Sequence, residues 1–589
     1  MKVRTRGSGG LMIWAGSLFV LLGLLFLMPV IMLVIGIFTT EPLGQGADWS
    51  FSAFSVLATP NVQSAFIAST VIAIVTSIAG VTIAAVFAFL SERTDAPLRR
   101  LITPAMLVMF ATPSIYYALG FSLLANPYTG LLNDVARILW GSTGPVVNIE
   151  SWGGLLTVLT FRTVAFVYLL MVAAFRAIDR AHEDASLASG ATPLTTFLRI
   201  DLPIIAPALS GAAIYAMIAG LQSFDTPLIL GQPVGIVPLA SLVYGLIDRQ
   251  FPPQYSHAGL LGTILVVIAL AMATLQHRLL GRKSFVSIGG KGARPEPHRL
   301  GRWGAAAGSF IALYLLIVQI IPFGMLIFSA FQPYPGVYGT LTLQHFSRVL
   351  ASPRTTTAVT TTIALSVGVS FVSMVLALAI AVVSNRLSAV WGALMRSLVL
   401  IPFAMPGIVT AVAIVWAYIS IPGLRELYGT VWLMAIGLVV VVMPFALHQA
   451  QSGLSQIAPE LYASAQVSGA PPARAFADIV LPLILPHFLT GWFLAAIAIA
   501  GTLDIPLLLG SPHVTTIAAE VFDLSAQGKV AQAAALLIML VGGLSLAGLL
   551  CLAVRRWARN SVMRRVMARA NATHNRLNPF SASVQGATR

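Results

Sequence analysis

Three ionisable residues fall inside or at the end of apolar stretches: Arg162, Asp225 and Asp504. A charge there is costly unless it is paired or faces water, so each is a candidate pathway residue. Asp225 and Asp504 stand two residues before Pro227 and Pro506, so ending a helix is their competing role. For Arg162 the competing role is snorkelling to lipid headgroups. No catalytic set accompanies them. A phosphate-cradling loop needs GxxxxGK[ST], and the four lysines, Lys2, Lys283, Lys291 and Lys529, stand in no such context. His182, His298, His448, His487 and His513 are scattered without paired metal-ligand spacing. The single cysteine, Cys551, excludes an intrachain disulfide framework and a multi-thiolate metal site. The residues therefore predict binding and gating, with no catalytic residue, no metal site and no cofactor on this chain.

The elements that must hold these charges are apolar. The chain has 589 residues, of which 58% are hydrophobic and 9% charged, against about 25% charged in soluble proteins. That excludes a soluble globular protein, a disordered chain and a nucleic-acid reader, even at a formal net charge of +15. Lipid, and no nucleic acid, is the expected surrounding. A membrane-spanning helix needs about 20 mostly apolar residues. Twelve stretches qualify: 11–38, 64–90, 101–125, 153–174, 205–230, 258–276, 304–330, 358–384, 397–419, 429–450, 485–510 and 531–554. The first is too long for a signal-peptide core of about 7–15 residues and is read as an uncleaved span. With the N-terminus inside, 27 Lys and Arg fall on inside segments and 6 on outside loops, with Arg162 left within a span. That bias predicts cytoplasmic termini.

The chain repeats itself. Shifted by 279, SGATPLTTFLRIDLPIIAP at 189–207 matches SGAPPARAFADIVLPLILP at 468–486 in ten of nineteen positions. The same shift pairs DTPLILG at 225–231 with DIPLLLG at 504–510, making Asp225 and Asp504 equivalents. Upstream, a shift of 293 pairs Arg93 with Arg386 and Pro113-Ser-Ile with Pro406-Gly-Ile; the 14-residue difference falls in the loop around 127–152. Six spans per half give both halves one orientation, hence a parallel repeat with the pathway between them. The predicted fold is an all-α polytopic membrane protein of twelve helices in two parallel six-helix modules, 1–290 and 291–589, joined by the basic linker 277–303. By helix length, Asp225 belongs near the outer interface.

The strongest repeat lies in the loop between the fourth and fifth spans of each half. Gly190 can take the left-handed conformation that ends a helix. Thr192 can cap the next one, with Pro193 in its first turn. Leu194, Phe197 and Leu198 then share one face, suited to docking on a partner. Asp184-Ala185-Ser186, Gly190, Ile200 and Leu202-Pro203 resemble the EAA loop of binding-protein-dependent ABC importer permeases. The second copy fits at Gly469, Ile479 and Leu481-Pro482, but Ala463 replaces the acidic residue, with Glu460 three positions earlier. The resemblance covers nearly the whole chain as two fused permease modules. It implies a MetI-like type I importer permease fold in a bacterial cytoplasmic membrane. It implies two copies of a cytoplasmic ABC ATPase, which bind ATP and Mg, and an extracytoplasmic solute-binding protein. The coupling contacts it implies are Asp184, Ala185, Gly190, Phe197, Leu202, Pro203, Glu460, Gly469, Phe476, Leu481 and Pro482. The layout is most similar to ferric-iron permeases; thiamine, polyamine and phosphonate importers share the design. The rival class, an ion-coupled secondary transporter, needs intramembrane carboxylates that the central spans almost lack.

The orientation is directly measurable. A cysteine at position 141 is expected to react with an impermeant thiol reagent added outside intact cells, and one at 291 is expected not to; labelling of 291 would reverse the assignment.

Overall fold

The computed structural model describes residues 8–41, 47–176, 178, 180–280, 297–337, 339–469, 471–550 and 553. Most of the linker, the boundary at 290/291, Cys551 and the tail from 554 lie outside them. The elements of the first half are α1 (Ser8–Leu22), α2 (Met28–Ile35), α3 (Pro60–Arg93), α4 (Arg99–Ala111), α5 (Ser114–Ala125), α6 (Leu131–Trp140), α7 (Trp152–Arg176), α8 (Arg180–Ala188), α9 (Pro193–Thr196), α10 (Leu202–Leu221), α11 (Leu239–Asp248) and α12 (Tyr255–Leu280). Those of the second are α13 (Trp303–Leu315), α14 (Ile321–Phe331), α15 (Gln344–Ala351), α16 (Pro353–Arg386), α17 (Ala389–Leu400), α18 (Gly407–Ile419), α19 (Val431–Ser455), α20 (Pro459–Val467), α21 (Pro472–Ala475), α22 (Leu481–Gly501), α23 (Asp504–Leu509), α24 (Ile517–Ala526) and α25 (Val530–Leu550). The described residues form no β-strand beyond isolated bridges.

The sequence repeat is a structural repeat. Helices α3 and α16 both have 34 residues and begin on a proline, 293 positions apart. Helices α7 and α19 both have 25, offset by 279. The 14 additional residues of the first half hold α6, which the second half lacks. Even the helix irregularities repeat. A five-residue π-helical segment precedes Pro29 at 23–27 and Pro322 at 316–320. Another leads into Pro203 at 197–201 and into Pro482 at 476–480. Proline has no N–H to give and crowds the carbonyl four residues back, and a wider turn relieves both.

Among the described residues, ten helices are long and apolar enough to cross a membrane. Two of the twelve predicted spans cross as bent pairs, 101–125 by 97° between α4 and α5 and 397–419 by 112° between α17 and α18; two others, 205–230 and 485–510, overrun α10 and α22, which end at Leu221 and Gly501. The bends fall at Pro113 and Pro406, where the missing donor and the restricted preceding residue break a helix. Each bent pair still carries the chain across. Arg176 at the end of α7 pairs with Glu92 near the end of α3 at 2.8 Å, so the start of α7, roughly 37 Å away along its axis, lies at the opposite face from the end of α3. A third bent pair, Pro227–Val234 with Leu239–Asp248 at 82°, turns back on one side. It follows α10, whose Gly220 abuts Ala73, and its Leu239 amide bonds Ser69 at 2.8 Å. Six crossings per half remain, one of them broken in each.

The first span of each half packs on the other half. Leu18, Leu22 and Phe26 share a core with Leu365, Met374, Ile380 and Met395, while Val318 and Leu326 share one with Ile115, Tyr116 and Tyr117. A Cβ on Gly120 would lie 2.9 Å from Pro322, so close approach there requires glycine.

Candidate functional site

The two half-helices that follow the breaks, α5 and α18, begin beneath the candidate aspartates. Ser114, the first residue of α5, donates its hydroxyl to Asp225 Oδ2. Gly407 holds the equivalent place in α18, and a Cβ there would collide with the Asp504 carboxylate. Asp504 also accepts from the Ile505 amide at 2.9 Å. Each carboxylate therefore sits at the positive end of a helix from its own half, an arrangement that favours negative charge.

Both aspartates and Arg162 line one cavity of about 330 Å³. Its polar wall includes Thr76, Thr163, Gln222 and Ser223, and its apolar wall Phe110, Phe166 and Phe403. The cavity lies between the halves. Gln222, at the end of α10, donates to the Phe403 carbonyl next to the second break at 3.1 Å. Its equivalent, Gly501 at the end of α22, meets Pro113 at the first break, where a Cβ would come within 2.8 Å. Each half thus touches the break of the other. The lining residues Ile72 and Thr76 are roughly 18–24 Å along α3 from its Pro60 end. Asp225 therefore lies deeper than the interface where its distance along the chain placed it, because the helix breaks at 222–224 and α3 runs on well past that level.

The repeated loops lie elsewhere, the first at the ends of α3 and α7 and the second after α19. Gly190 and Gly469 both have φ +85°. After α8, the Ala191 amide reaches the Ser186 carbonyl at 3.2 Å, which makes Gly190 the left-handed residue of a Schellman ending. Thr192 Oγ1 accepts from the Thr195 amide at 3.2 Å and caps α9. Asp184, Ala185 and Gly190 are exposed, as are Pro203, Glu460, Gly469, Leu481 and Pro482; Leu202 and Phe476 are half-buried. Phe197 turns inward onto Phe89 of α3, with ring centroids 5.6 Å apart, whereas Leu198 is exposed.

The carboxylate that fixes the first loop is Glu183, one residue before the motif's acidic position. It is buried against Arg93, at the end of α3, and its Oε2 lies 2.8 Å from His298 Nε2. His298 extends the cluster into the second half, donating its amide to the Arg93 carbonyl at 2.8 Å and accepting from the Asp95 amide at 3.0 Å. Asp201, also buried, faces Arg93 and His298. At the position of Glu183 the second loop has Tyr462. A pairing between residues 90 apart has no local signature in the sequence, so only the structure reveals it. Ser114 and Gly407 did have a signal, in the aligned Pro-Ser-Ile and Pro-Gly-Ile.

The family described as binding-protein-dependent transport system inner membrane component matches residues 80–285 and 373–559, twice in one chain, and this chain belongs to it. A Haemophilus influenzae protein named as a ferric transport system permease is 25% identical over 56% of this chain and 52% of its own length. The Actinobacillus pleuropneumoniae ferric transport system permease protein FbpB is 24% identical over 64% of this chain and 52% of its own length. The chain thus spans about half the length of these two relatives. A Salmonella typhimurium protein named as a 2-aminoethylphosphonate transport system permease is 25% identical over 40% of this chain and 89% of its own length.

Removing Glu183 is expected to be costly, because breaking a buried ion pair leaves an uncompensated charge. Glu183→Ala should destabilise the first-half loop by about 3–5 kcal/mol, read as earlier thermal unfolding and faster proteolysis near residue 188. Asp184→Ala, at an exposed side chain, should change both much less.

Proposed function

We propose that this chain is the permease of an ATP-driven importer of the bacterial cytoplasmic membrane, with ferric iron as its solute. Two copies of a separate ATPase, holding ATP and Mg, would dock on the loops around Gly190 and Gly469. An extracytoplasmic binding protein would deliver the solute. ATPase closure then moves the loops, and the two halves shift between packed arrangements that open the cavity to one side or the other. Both termini and the coupling loops lie in the cytoplasm in this reading, following the distribution of Lys and Arg.

The observation that carries the reading is the placement of two equivalent aspartates and one arginine in a cavity between the halves. With all three ionised, the site bears one net negative charge and suits a cation. The ferric relatives support the same choice. The second reading is a phosphonate solute, favoured by Arg162 in that cavity and by the Salmonella relative. An anion would depend on Arg162 and be repelled by the aspartates.

Uptake in the reconstituted complex separates the two. Asp225→Asn/Asp504→Asn is expected to lower ferric uptake roughly tenfold or more, the scale of losing a hydrogen bond to a charged group, and more than either single change. Unchanged uptake with the complex assembled would leave the aspartates as helix-end partners only. Increased phosphonate uptake would favour the second reading.

The loops have their own test. Gly190→Val or Gly469→Val forces a β-branched residue to positive φ, at about 1–2 kcal/mol, with no neighbour within 4 Å of a new Cβ to complicate the change. ATP hydrolysis should continue while uptake falls. Normal uptake in both variants would remove the coupling role.

A further inference from the structure

A second cavity of about 370 Å³ opens where α3 and α7 end and α4 begins. Its lining is Ser91, Glu92, Arg93, Arg99, Arg100, Thr103 and Arg176. Four arginines thus meet one carboxylate in the wall. Arg176 is engaged with Glu92 through two bonds, 3.0 and 2.8 Å. Arg93 is engaged with Glu183 behind the wall, and Arg99 donates to the Thr94 carbonyl. Arg100 is exposed and pairs with no carboxylate among the described residues. Counting both glutamates, the pocket keeps an excess of two positive charges. Below the arginines, Tyr168 joins Ser91 and Thr103 through its hydroxyl at 3.0 and 2.6 Å, giving a fixed polar floor.

Two further features point to what fills it. Leu98 is the one described non-glycine residue at positive φ, +65°. A leucine there is strained, and such strain concentrates at functional sites. The turn it makes brings Arg99 and Arg100 into the wall while Leu98 itself stays 44% exposed. From the same rim, α4 exposes Leu101, Leu107 and Val108 at 51, 49 and 53%, an apolar track along a membrane helix. A basic pocket continuous with an apolar track matches a molecule with an anionic head and a hydrocarbon tail.

We infer that this pocket binds the phosphodiester headgroup of one anionic phospholipid, with Arg99 and Arg100 as the phosphate contacts and the acyl chains along α4. The arginines of this pocket do not all recur in the second half. Under the same shifts, Arg99, Arg100 and Arg176 become Gly392, Ala393 and Ser455, so one lipid per chain is expected. The inference does not depend on the solute or on the coupling loops.

Native mass spectrometry of the full chain in detergent tests it, with dioleoylphosphatidylglycerol and dioleoylphosphatidylcholine as probes. The wild-type chain should retain one phosphatidylglycerol, in roughly thirtyfold preference to phosphatidylcholine, as expected for two added arginine contacts. Arg99→Gln/Arg100→Gln should abolish that preference, and Arg100→Gln alone, at an exposed side chain that folding does not need, should weaken it. Arg425→Gln, at the other end of the bundle, should leave it intact. Equal retention of the two lipids, or an Arg100→Gln chain that binds like wild type, would overturn the inference. So would full displacement of the lipid by millimolar inorganic phosphate, which would make this a soluble-anion site.

Discussion

Inside a bilayer a helix cannot begin without finding partners for its first amides. Each half of this protein breaks a span at a proline and starts a new helix there, and the carboxylate of Asp225 or Asp504 meets the new start. Much else follows from this. The breaks create the space between the halves, Gln222 and Gly501 close it from the opposite half, and the aspartates end up in a shared cavity with Arg162. A residue that ends one helix and a residue that faces a polar cavity are therefore not alternatives here. The same carboxylate does both, because the helix start it serves is the cavity wall.

The two halves match in backbone but differ in electrostatics. Helices of equal length, π-helical segments at equivalent prolines and glycines at the same φ recur across the repeat. The charged residues recur only in part. The Arg93–Glu183–His298 cluster and the arginine pocket are built at the ends of α3 and α7, and the second half offers Tyr462, Gly392 and Ala393 in the places of Glu183, Arg99 and Arg100. Apolar packing tolerates many sequences provided volume and pattern are kept, whereas a buried ion pair needs both partners at once. The duplicated scaffold can therefore persist while single-sided polar features diverge.

Much of the architecture is readable from residues. Span number, the parallel repeat, the extra segment near 127–152 and the left-handed glycines all follow from hydropathy, register and glycine placement. The breaks are half readable: Pro113 and Pro406 stand in the aligned segments, but hydropathy sums over a window and carries no direction, so a bend of about 100° looks like a straight span. Phe197 illustrates a second limit. Helical spacing groups it with Leu198, yet one faces Phe89 and the other faces out, since periodicity fixes relative angles and leaves the rotation of the helix to its neighbours. Glu183 illustrates a third. Motif spacing singles out Asp184, and only contact with Arg93, far away in sequence, shows which of two adjacent acids is structural.

The exchange of first spans has a consequence for biosynthesis. Helices α1 and α2 pack against residues from 365 to beyond 430, which leave the ribosome some 350–400 residues later. At about 5–20 residues per second, the first span waits on the order of 20–80 s in lipid before its partner surface exists. It must be stable there alone, and its mean hydropathy of 3.1, the highest of the ten continuous spans, is what that wait requires. Final packing is thus a late event, timed by translation of the second half rather than by insertion of the first.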